Sequence, residues 1–152
     1  MTVRPLDAAD VPALAAALAA LPLMRRYGRG EAALDADLRA ALARGDGLLV
    51  AAEGGRVAGL CWYLPEGTLG MGGYLKLLAV PDAAQGAGTG ALLLRAFEAE
   101  VARRSRHAFL LVSDFNEAAC RFYERHGYAR VGTLPALVLP DVAELVYWKR
   151  LR

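Results

Sequence analysis

The sequence is poor in the features that mark secreted, membrane-spanning and metal-binding proteins. Its two cysteines, Cys61 and Cys120, are too far apart for a metal-ligand motif and too few for a disulfide framework. The first thirty residues show no signal-peptide pattern, because Arg4, Asp7 and Asp10 interrupt the apolar positions. No apolar stretch reaches the roughly eighteen residues that a membrane-spanning helix needs. We therefore expect a cytoplasmic protein with reduced thiols, no metal site and no membrane contact.

An excess of one charge is also missing. The chain has 18 Lys and Arg residues against 16 Asp and Glu residues, for a net charge of +2. These charges are spread along the chain, with no basic tail or stripe of the kind that binds a phosphate backbone, so no nucleic-acid partner is expected. A chain of 152 residues is long enough for one core and too short for two full ones. Residues 1–152 are therefore expected to form a single domain.

The stretch from Tyr74 to Phe97 organises the rest of the chain. Residues 74–80 are mostly apolar and have the length of a buried strand, which Pro81 and Asp82 end. The glycine-rich segment 85–90 follows, and residues 91–98 begin a helix rich in Leu and Ala. Glycines let the backbone approach a ligand, and the N–H groups at a helix start attract an anion. The pattern predicts an anion site made of backbone amides; the competing interpretation is a tight turn that only packs the helix onto the sheet.

The other segments predict helices and strands on both sides of this stretch. Before it come a strand at 2–5, a helix at 11–21, a loop at 22–30, a helix at 31–44, strands at 47–53 and 56–64, and a connection at 65–73. After it, the predicted elements are a helix to about residue 104, a strand at 108–113, a helix at 117–126, and strands at 128–133 and 143–150 around a loop at 134–141. The predicted fold class is α/β, with a single mixed, mostly antiparallel central sheet flanked by helices and one parallel crossover through the glycine-rich turn.

Two nucleotide-binding motifs compete for the glycine-rich turn. A Walker phosphate loop needs Lys followed by Ser or Thr after its last glycine, whereas Ala91 and Leu92 follow Gly90 here, so this motif is excluded. A dinucleotide fingerprint fits better, because Gly86, Gly88 and Ala91 satisfy G-x-G-x-x-A and Asp114 follows the next strand. Against this motif, only one parallel crossover remains downstream, whereas a doubly wound domain needs several.

Two motifs together resemble the GCN5-related N-acetyltransferase (GNAT) family. Leu78-Ala79-Val80 followed by Gln85-x-x-Gly88-x-Gly90 is similar to the pyrophosphate-binding signature of that family. Residues 116–128 resemble its second motif, an asparagine-capped helix with an aromatic pair near its end and Gly-Tyr after it. The order of the predicted elements also fits, so the resemblance covers all 152 residues. One departure is Pro81, which stands directly after Val80, whereas the proline of the family usually stands two residues after the valine.

The resemblance implies an enzyme that uses acetyl-CoA as cosubstrate. In this interpretation the central strand splays from the following strand, and the pantetheine pairs with the backbone of Leu78, Ala79 and Val80. The pyrophosphate is held by backbone amides of the turn, that is, of Gln85, Gly86, Ala87, Gly88, Thr89 and Gly90. Asn116 is first a helix cap, and a contact with the cofactor is an additional role.

The same resemblance makes Tyr123 the catalytic acid. In the family the equivalent tyrosine protonates the departing CoA thiolate after an amine attacks the thioester. A phenol with an ordinary pKa of about 10 is protonated at neutral pH and suits this step. The competing interpretation is a core tyrosine whose hydroxyl has a partner within the protein.

The acceptor and the general base stay open at this stage. The acceptor is expected to be a primary amine of a small molecule or a protein, and a homodimer is one option for the assembly. Glu66, Glu31 and a water chain are alternative bases. The arginines of the loop 22–30 either recognise an acidic acceptor or are solvated surface residues. A non-catalytic acyl-CoA-binding module and a dinucleotide-binding protein remain alternative functions.

Overall fold

The computed structural model describes residues 1–152 and contains seven strands and five helices, with short 3₁₀ turns at Ala8–Asp10 and Asp82–Ala84. The strands are β1 (Thr2–Pro5), β2 (Gly47–Glu53), β3 (Arg56–Thr68), β4 (Gly72–Ala79), β5 (His107–Ser113), β6 (Ala129–Pro135) and β7 (Ala143–Arg150). The helices are α1 (Val11–Ala19), α2 (Pro22–Arg26), α3 (Glu31–Arg44), α4 (Thr89–Ala102) and α5 (Glu117–Arg125). None of these helices has both the length and the apolar character that crossing a membrane requires.

All seven strands belong to one sheet, in the order β1-β2-β3-β4-β5-β7-β6. β4 and β5 pair in parallel, whereas β1 with β2, β2 with β3, β5 with β7 and β6 with β7 pair antiparallel. The crossover from β4 to β5 runs through α4, because parallel neighbours need a long connection. The predicted fold class, an α/β protein with a mixed and mostly antiparallel sheet, is confirmed.

Several predicted element boundaries are wrong. The expected loop at 22–30 begins with α2, since Pro22 takes the first helical position, where its missing N–H costs nothing. The expected connection at 65–73 is shorter, because β3 continues to Thr68 through Pro65. The expected loop at 134–141 starts later, because β6 continues through Pro135 in pairing with β7. A proline usually ends a strand, but here β3 continues through Pro65 and β6 includes Pro135.

By the density of their contacts, the residues divide into two compact units. The first unit contains Met1–Tyr63 and Leu77–Ala99. Its core forms where α1, α2 and α3 pack their apolar residues on strand residues such as Val50, Leu60 and Trp62. The helices contribute leucines spaced for one face, among them Leu34 and Leu38 of α3. Burial of this apolar surface is the main stabilisation of the unit.

The second unit contains Leu64–Lys76 and Glu100–Arg152. Its strands alternate between two faces, as the pleat of a strand requires. The buried face of the second unit carries Leu75, Ala108, Leu110, Val112, Leu145 and Tyr147, all of which are buried. On this face the Tyr147 hydroxyl donates a hydrogen bond to Glu124 of α5 at 2.9 Å, so α5 lies on this side.

The opposite face of the second unit, the half-buried face, carries Tyr74, Phe109, Leu111, Ser113, Glu144, Val146 and Trp148. Its membership follows from the register, in which Tyr74 pairs with Phe109, Phe109 with Trp148, Leu111 with Val146, and Ser113 with Glu144. The apolar members are only partly buried, while Ser113 and Glu144 are buried.

Candidate functional site

The glycine-rich turn leads from the end of β4 to the start of α4, as predicted. Gly86 and Gly88 have φ angles of +83° and +77°, which residues with a Cβ atom rarely adopt. No atom lies within 4 Å of the position that a Cβ would take at either glycine. The space above this part of the turn is therefore open to a ligand.

The side chains of Gln85 and Thr89 form hydrogen bonds within the turn. The side-chain Nε2 atom of Gln85 donates to the Val80 carbonyl oxygen at 3.1 Å and to the Asp82 carboxylate at 3.0 Å. Thr89 is 2% exposed, and its hydroxyl lies 3.4 Å from the Ala84 carbonyl oxygen. Gln85 and Thr89 thus brace the loop, and the Gln85 backbone N–H also donates within it, to the Asp82 carbonyl oxygen at 3.2 Å.

The start of α4 supplies the amides that the anion prediction requires. The first N–H groups of a helix have no partner within the helix, and the helix dipole places partial positive charge there. Leu92 donates to the Gly88 carbonyl at 3.0 Å, which closes the first turn of α4 over Gly90. Gln85, Gly86, Ala87 and Gly88 are exposed. The turn therefore fits a phosphate held by backbone N–H groups.

The end of β4 holds the three residues that were predicted to pair with pantetheine. The parallel register with β5 pairs Gly73, Tyr74 and Leu75 with Ala108, Phe109 and Leu110. Leu78 and Ala79 lie beyond these pairs at the end of β4, and Val80 follows the strand. Leu78 and Val80 are partly buried and Ala79 is buried.

Asn116 caps α5 as predicted. Its Oδ1 atom accepts a hydrogen bond from the Ala119 backbone N–H at 3.2 Å, and Gly127 follows the helix with a φ angle of +88°. The cap fixes where α5 begins, and hence which residues fall in its last turn. The cofactor contact of Asn116 stays a prediction.

Tyr123 lies near the end of α5 and is 8% exposed. Its ring meets the rings of Phe122 and Tyr128 edge-on, with centroid distances of 5.1 and 5.7 Å. These contacts fix the orientation of the ring. The catalytic role of Tyr123 stays a prediction.

A buried polar pair on the half-buried face escaped the sequence analysis. The Ser113 hydroxyl lies 3.4 Å from the Glu144 Oε2 atom, as a donor to the carboxylate. Burial raises the pKa of Tyr74 above its ordinary value, and the negative charge of Glu144 raises it further. The available signal was a lone glutamate in phase with Val146 and Trp148 in an apolar strand.

The glutamates considered as alternative bases and the arginines of residues 22–30 lie on different elements of the structure. Glu66 lies exposed in β3, and Glu31 lies exposed in the first turn of α3. Arg29 forms an ion pair with Asp37 within the first unit. Neither observation singles out a base or an acidic acceptor.

The dinucleotide alternative fails on topology and on Asp114. One parallel pair of strands does not make a doubly wound sheet. The Asp114 carboxylate accepts a hydrogen bond from the Ala143 backbone N–H at 3.2 Å, so it fastens β7 beside the end of β5. Two surface cavities of about 420 and 350 Å³ in the second unit contain none of the predicted site residues.

Comparisons with known proteins agree with the geometry. The family model described as "Acetyltransferase (GNAT) family" matches residues 15–128. No curated protein matches the chain significantly.

Three solved structures illustrate the likeness of fold. An aminoglycoside 6'-N-acetyltransferase complexed with coenzyme A is 20% identical, with a TM-score of 0.79 over 100% of this chain and 98% of that one. A ribosomal-protein-alanine N-acetyltransferase from Brucella melitensis is 22% identical, with a TM-score of 0.75 over 99% of both chains. An N-acetyltransferase from Staphylococcus aureus Mu50 is 17% identical, with a TM-score of 0.78 over 99% of this chain and 98% of that one. At these identities the likeness establishes the fold.

Proposed function

The chain belongs to the acetyltransferase (GNAT) family, and from that premise we propose that it transfers the acetyl group of acetyl-CoA to a primary amine. The observation that carries the proposal is the open glycine turn at the start of α4, a site for a pyrophosphate. A solved structure of the same fold, an aminoglycoside 6'-N-acetyltransferase, is a complex with coenzyme A. That structure supports the choice of cosubstrate.

The first unit is proposed to hold the cosubstrate. Backbone amides from Gln85 to Gly90 contact the pyrophosphate, since Gly86 and Gly88 are exposed and open space surrounds the position that a Cβ would take at each. The backbone of Leu78, Ala79 and Val80 pairs with the pantetheine. One carbonyl in this set, that of Val80, already accepts a hydrogen bond from Gln85, and its second lone pair is available for another donor.

The second unit is proposed to supply the acid. Acetyl-CoA brings an activated acyl group; the nitrogen–carbon bond forms as the carbon–sulfur bond breaks. Tyr123 donates its phenolic proton to the departing sulfur, which is comparably basic, and the amine nitrogen loses one proton as the amide forms, so that the phenol is restored. The packing of its ring against Phe122 and Tyr128 supports this role, because an acid must be held in one orientation.

The state of the two cysteines bears on the compartment. Both cysteines are free thiols, Cys61 buried and Cys120 partly buried, which favours a reducing compartment such as the cytoplasm. A homodimer stays a prediction. The acceptor class stays a primary amine of a small molecule or a protein.

The test is a binding and turnover experiment on the whole chain. Acetyl-CoA and CoA are expected to raise the Tm, while NAD and ATP at equal concentration are not, because binding to the native state stabilises it. A panel of primary amines is then screened for CoA thiol release. Thermal stabilisation by CoA without turnover of any amine would support the non-catalytic acyl-CoA-binding module instead. Stabilisation by NAD alone would contradict the proposal.

A further inference from the structure

Two surface cavities of the second unit adjoin each other at the start of β5. One, of about 420 Å³, is lined by residues 102–107 together with Met71. The other, of about 350 Å³, is lined mainly by apolar and aromatic side chains, among them Leu69, Met71, Phe109 and Trp148. Met71 and His107 line both cavities, so the two form one groove, and all of its residues belong to the second unit.

The apolar half of the groove contains three aromatic rings that hold one another in place. The rings of Trp148 and His107 stack at a centroid distance of 6.0 Å, and the Phe109 ring lies 6.4 Å from that of His107. The indole N–H of Trp148 donates to Nδ1 of His107 at 3.1 Å, which fixes these two rings relative to each other. Rigid aromatic surfaces of this kind are frequent anchor points of interfaces.

Leu69 borders this half at a position where neither the backbone nor packing favours leucine. The Met71 N–H donates to the Thr68 carbonyl at 2.9 Å, which closes a two-residue turn of Leu69 and Gly70 between β3 and β4. The φ angles of these two residues are +54° and +67°, and such turns favour Asn-Gly because most side chains are strained at positive φ. Leu69 is nevertheless 90% exposed, and Met71 is 68% exposed. A strained backbone position that carries an exposed apolar side chain indicates a binding surface.

The other half of the groove is positively charged. Arg103, Arg104 and Arg106 line it, and none of the residues that line either cavity is acidic. Arg103 lies 3.6 Å from Glu100, whereas Arg104 and Arg106 have no acidic partner within the chain. Their guanidinium groups are therefore available to carboxylates of another molecule.

Hydrogen bonds fix the loop that carries these arginines. The Ser105 hydroxyl donates to the Met71 carbonyl at 2.6 Å, and the Leu151 N–H donates to the Arg106 carbonyl at 2.7 Å. Arg150 pairs with His107 in the register of β7 and β5, so a further positive charge lies at this end of the sheet. The groove thus combines fixed aromatic rings with neighbouring cations.

The form of the groove favours a peptide over a small molecule or a nucleic acid. Small-molecule sites usually enclose most of the ligand, whereas Leu69, Met71 and Arg104 are exposed here. The aliphatic side chains of Leu69 and Met71 match apolar side chains of a peptide, whereas nucleic-acid bases stack on flat rings. Carboxylates complement the arginines in charge.

We propose that this groove binds a segment of a partner protein in which apolar residues adjoin acidic ones. The apolar side chains pack on Leu69, Met71 and Trp148, and the carboxylates pair with Arg104 and Arg106. The inference goes beyond acetyl transfer and does not depend on it, because the groove contains none of the residues proposed to bind acetyl-CoA or to act as the acid.

Fluorescence anisotropy with labelled synthetic peptides tests the proposal. The peptides carry a pair of Leu, Phe or Trp residues beside a run of Glu, and each has a matched peptide with Lys in place of Glu. The acidic peptides are expected to bind with a Kd of about 10–100 μM, more weakly as salt screens the charges, and the Lys peptides are expected not to bind. No binding of any acidic peptide at about 1 mM, equal binding of the Lys peptides, or tighter binding of a labelled oligo-dT overturns the proposal.

Charge reversal tests the basic half. The double variant Arg104→Glu with Arg106→Glu is expected to bind the best acidic peptide at least about 10-fold more weakly. Arg125→Glu reverses another exposed charge of the same unit, at the end of α5, and is expected to bind like the wild type. An equal loss in both proteins would mean that net charge rather than the groove attracts the peptide, and would overturn the assignment.

Leu69→Asn tests the apolar half with two opposite readouts. Asn tolerates positive φ, so the Tm is expected to rise by about 2–4 °C while peptide affinity falls about 10-fold. A leucine with a merely structural role would lower the Tm instead. Leu137→Asn, at a side chain of the same unit that is 51% exposed, is the control and should keep peptide affinity.

Sedimentation velocity of the chain alone tests a second copy as the occupant. The proposal predicts that Leu69→Asn and the double arginine variant leave the sedimentation coefficient unchanged. A dimer that both changes dissociate would assign the groove to a second copy of the chain and overturn the proposal.

Discussion

The hydroxyl of Tyr147 and the carboxylate of Glu124 join β7 to α5 through a hydrogen bond of 2.9 Å. Tyr147 is 1% exposed, and burial raises the pKa of its phenol, which the hydrogen bonds with Cys120 and Glu124 raise further. The neighbour of Glu124 in the chain is Tyr123. The bond therefore fixes the last turn of α5, which carries the proposed acid.

Tyr147→Phe is expected to cost about 1.5 kcal/mol of unfolding free energy, since a hydrogen bond to a charged group is lost. Urea titration measures the loss. A double-mutant cycle with Glu124→Ala is expected to give a coupling energy of about 1 kcal/mol. Additive effects of the two substitutions would mean that the bond does not stabilise the native state.

Tyr123→Phe tests the acid. The change removes one oxygen and little volume, so kcat is expected to fall by about 10²- to 10⁴-fold with little change in acetyl-CoA affinity. Stopped thiol-release assays give kcat, and calorimetry gives Kd. Tyr128→Phe, one ring away, is the matched control and should retain turnover. Loss of turnover in Tyr128→Phe alone would move the acid to Tyr128.

Gly88→Ala tests the turn. A methyl group at φ +77° costs about 1 kcal/mol in stability, and it would project into space that is open unless a ligand occupies it. We expect Kd for CoA to rise about 10-fold, which equals about 1.4 kcal/mol. Gly28→Ala has similar strain at φ +66° and an equally open surrounding, so it should lose stability but keep CoA affinity. Equal CoA affinity in both variants would remove the turn from the binding site.

Gly73→Ala tests the packing of β4 in the second unit. A Cβ at Gly73 would lie 2.3 Å from Cγ2 of Val101, so the variant is expected to lose about 1–3 kcal/mol. Val101→Ala in the same chain should restore part of this loss, because it removes the opposing methyl groups. Gly132→Ala in the same unit, where a Cβ would meet Val146 at an ordinary 3.7 Å and φ is not positive, should be tolerated. Melting curves of the four proteins decide the matter, and a stable Gly73→Ala would contradict the close approach.

Asp10→Asn tests a pH-dependent contribution in the first unit. The hydrogen bonds from Arg4, at 2.7 and 2.9 Å, lower the pKa of Asp10. A carboxylate with a lowered pKa stabilises the fold above its unfolded pKa of about 4 and loses this contribution as the pH falls.

The Asn variant is therefore expected to be less stable by roughly 1 kcal/mol at pH 7, and the difference should shrink below about pH 4. Asp35→Asn, in an exposed pair with Arg39, is the control and should change little. A difference that persists undiminished at pH 3 would assign it to packing rather than to charge.

Local sequence signals determined the elements whose limits depend on near neighbours. The bounds of α3, β2 and β7 were predicted residue by residue, as were the Asn116 cap and the Gly127 terminus of α5. Caps, glycines and apolar periodicity act within a few residues, so one sequence is enough to recognise them. The glycine-rich turn between β4 and α4 was likewise predicted from neighbouring residues alone.

Only the tertiary structure brought Glu144 to Ser113, across 31 positions of the chain. β7 lies between β5 and β6, and this order, together with the register, decides which face a strand residue occupies. A shift of one residue in the register would move the carboxylate to the buried face. Strand pairing between distant segments leaves no local trace in the sequence, and for this reason the buried position of Glu144 could not be predicted. The glycine-rich turn could be predicted, because its signal lies within a few neighbouring residues.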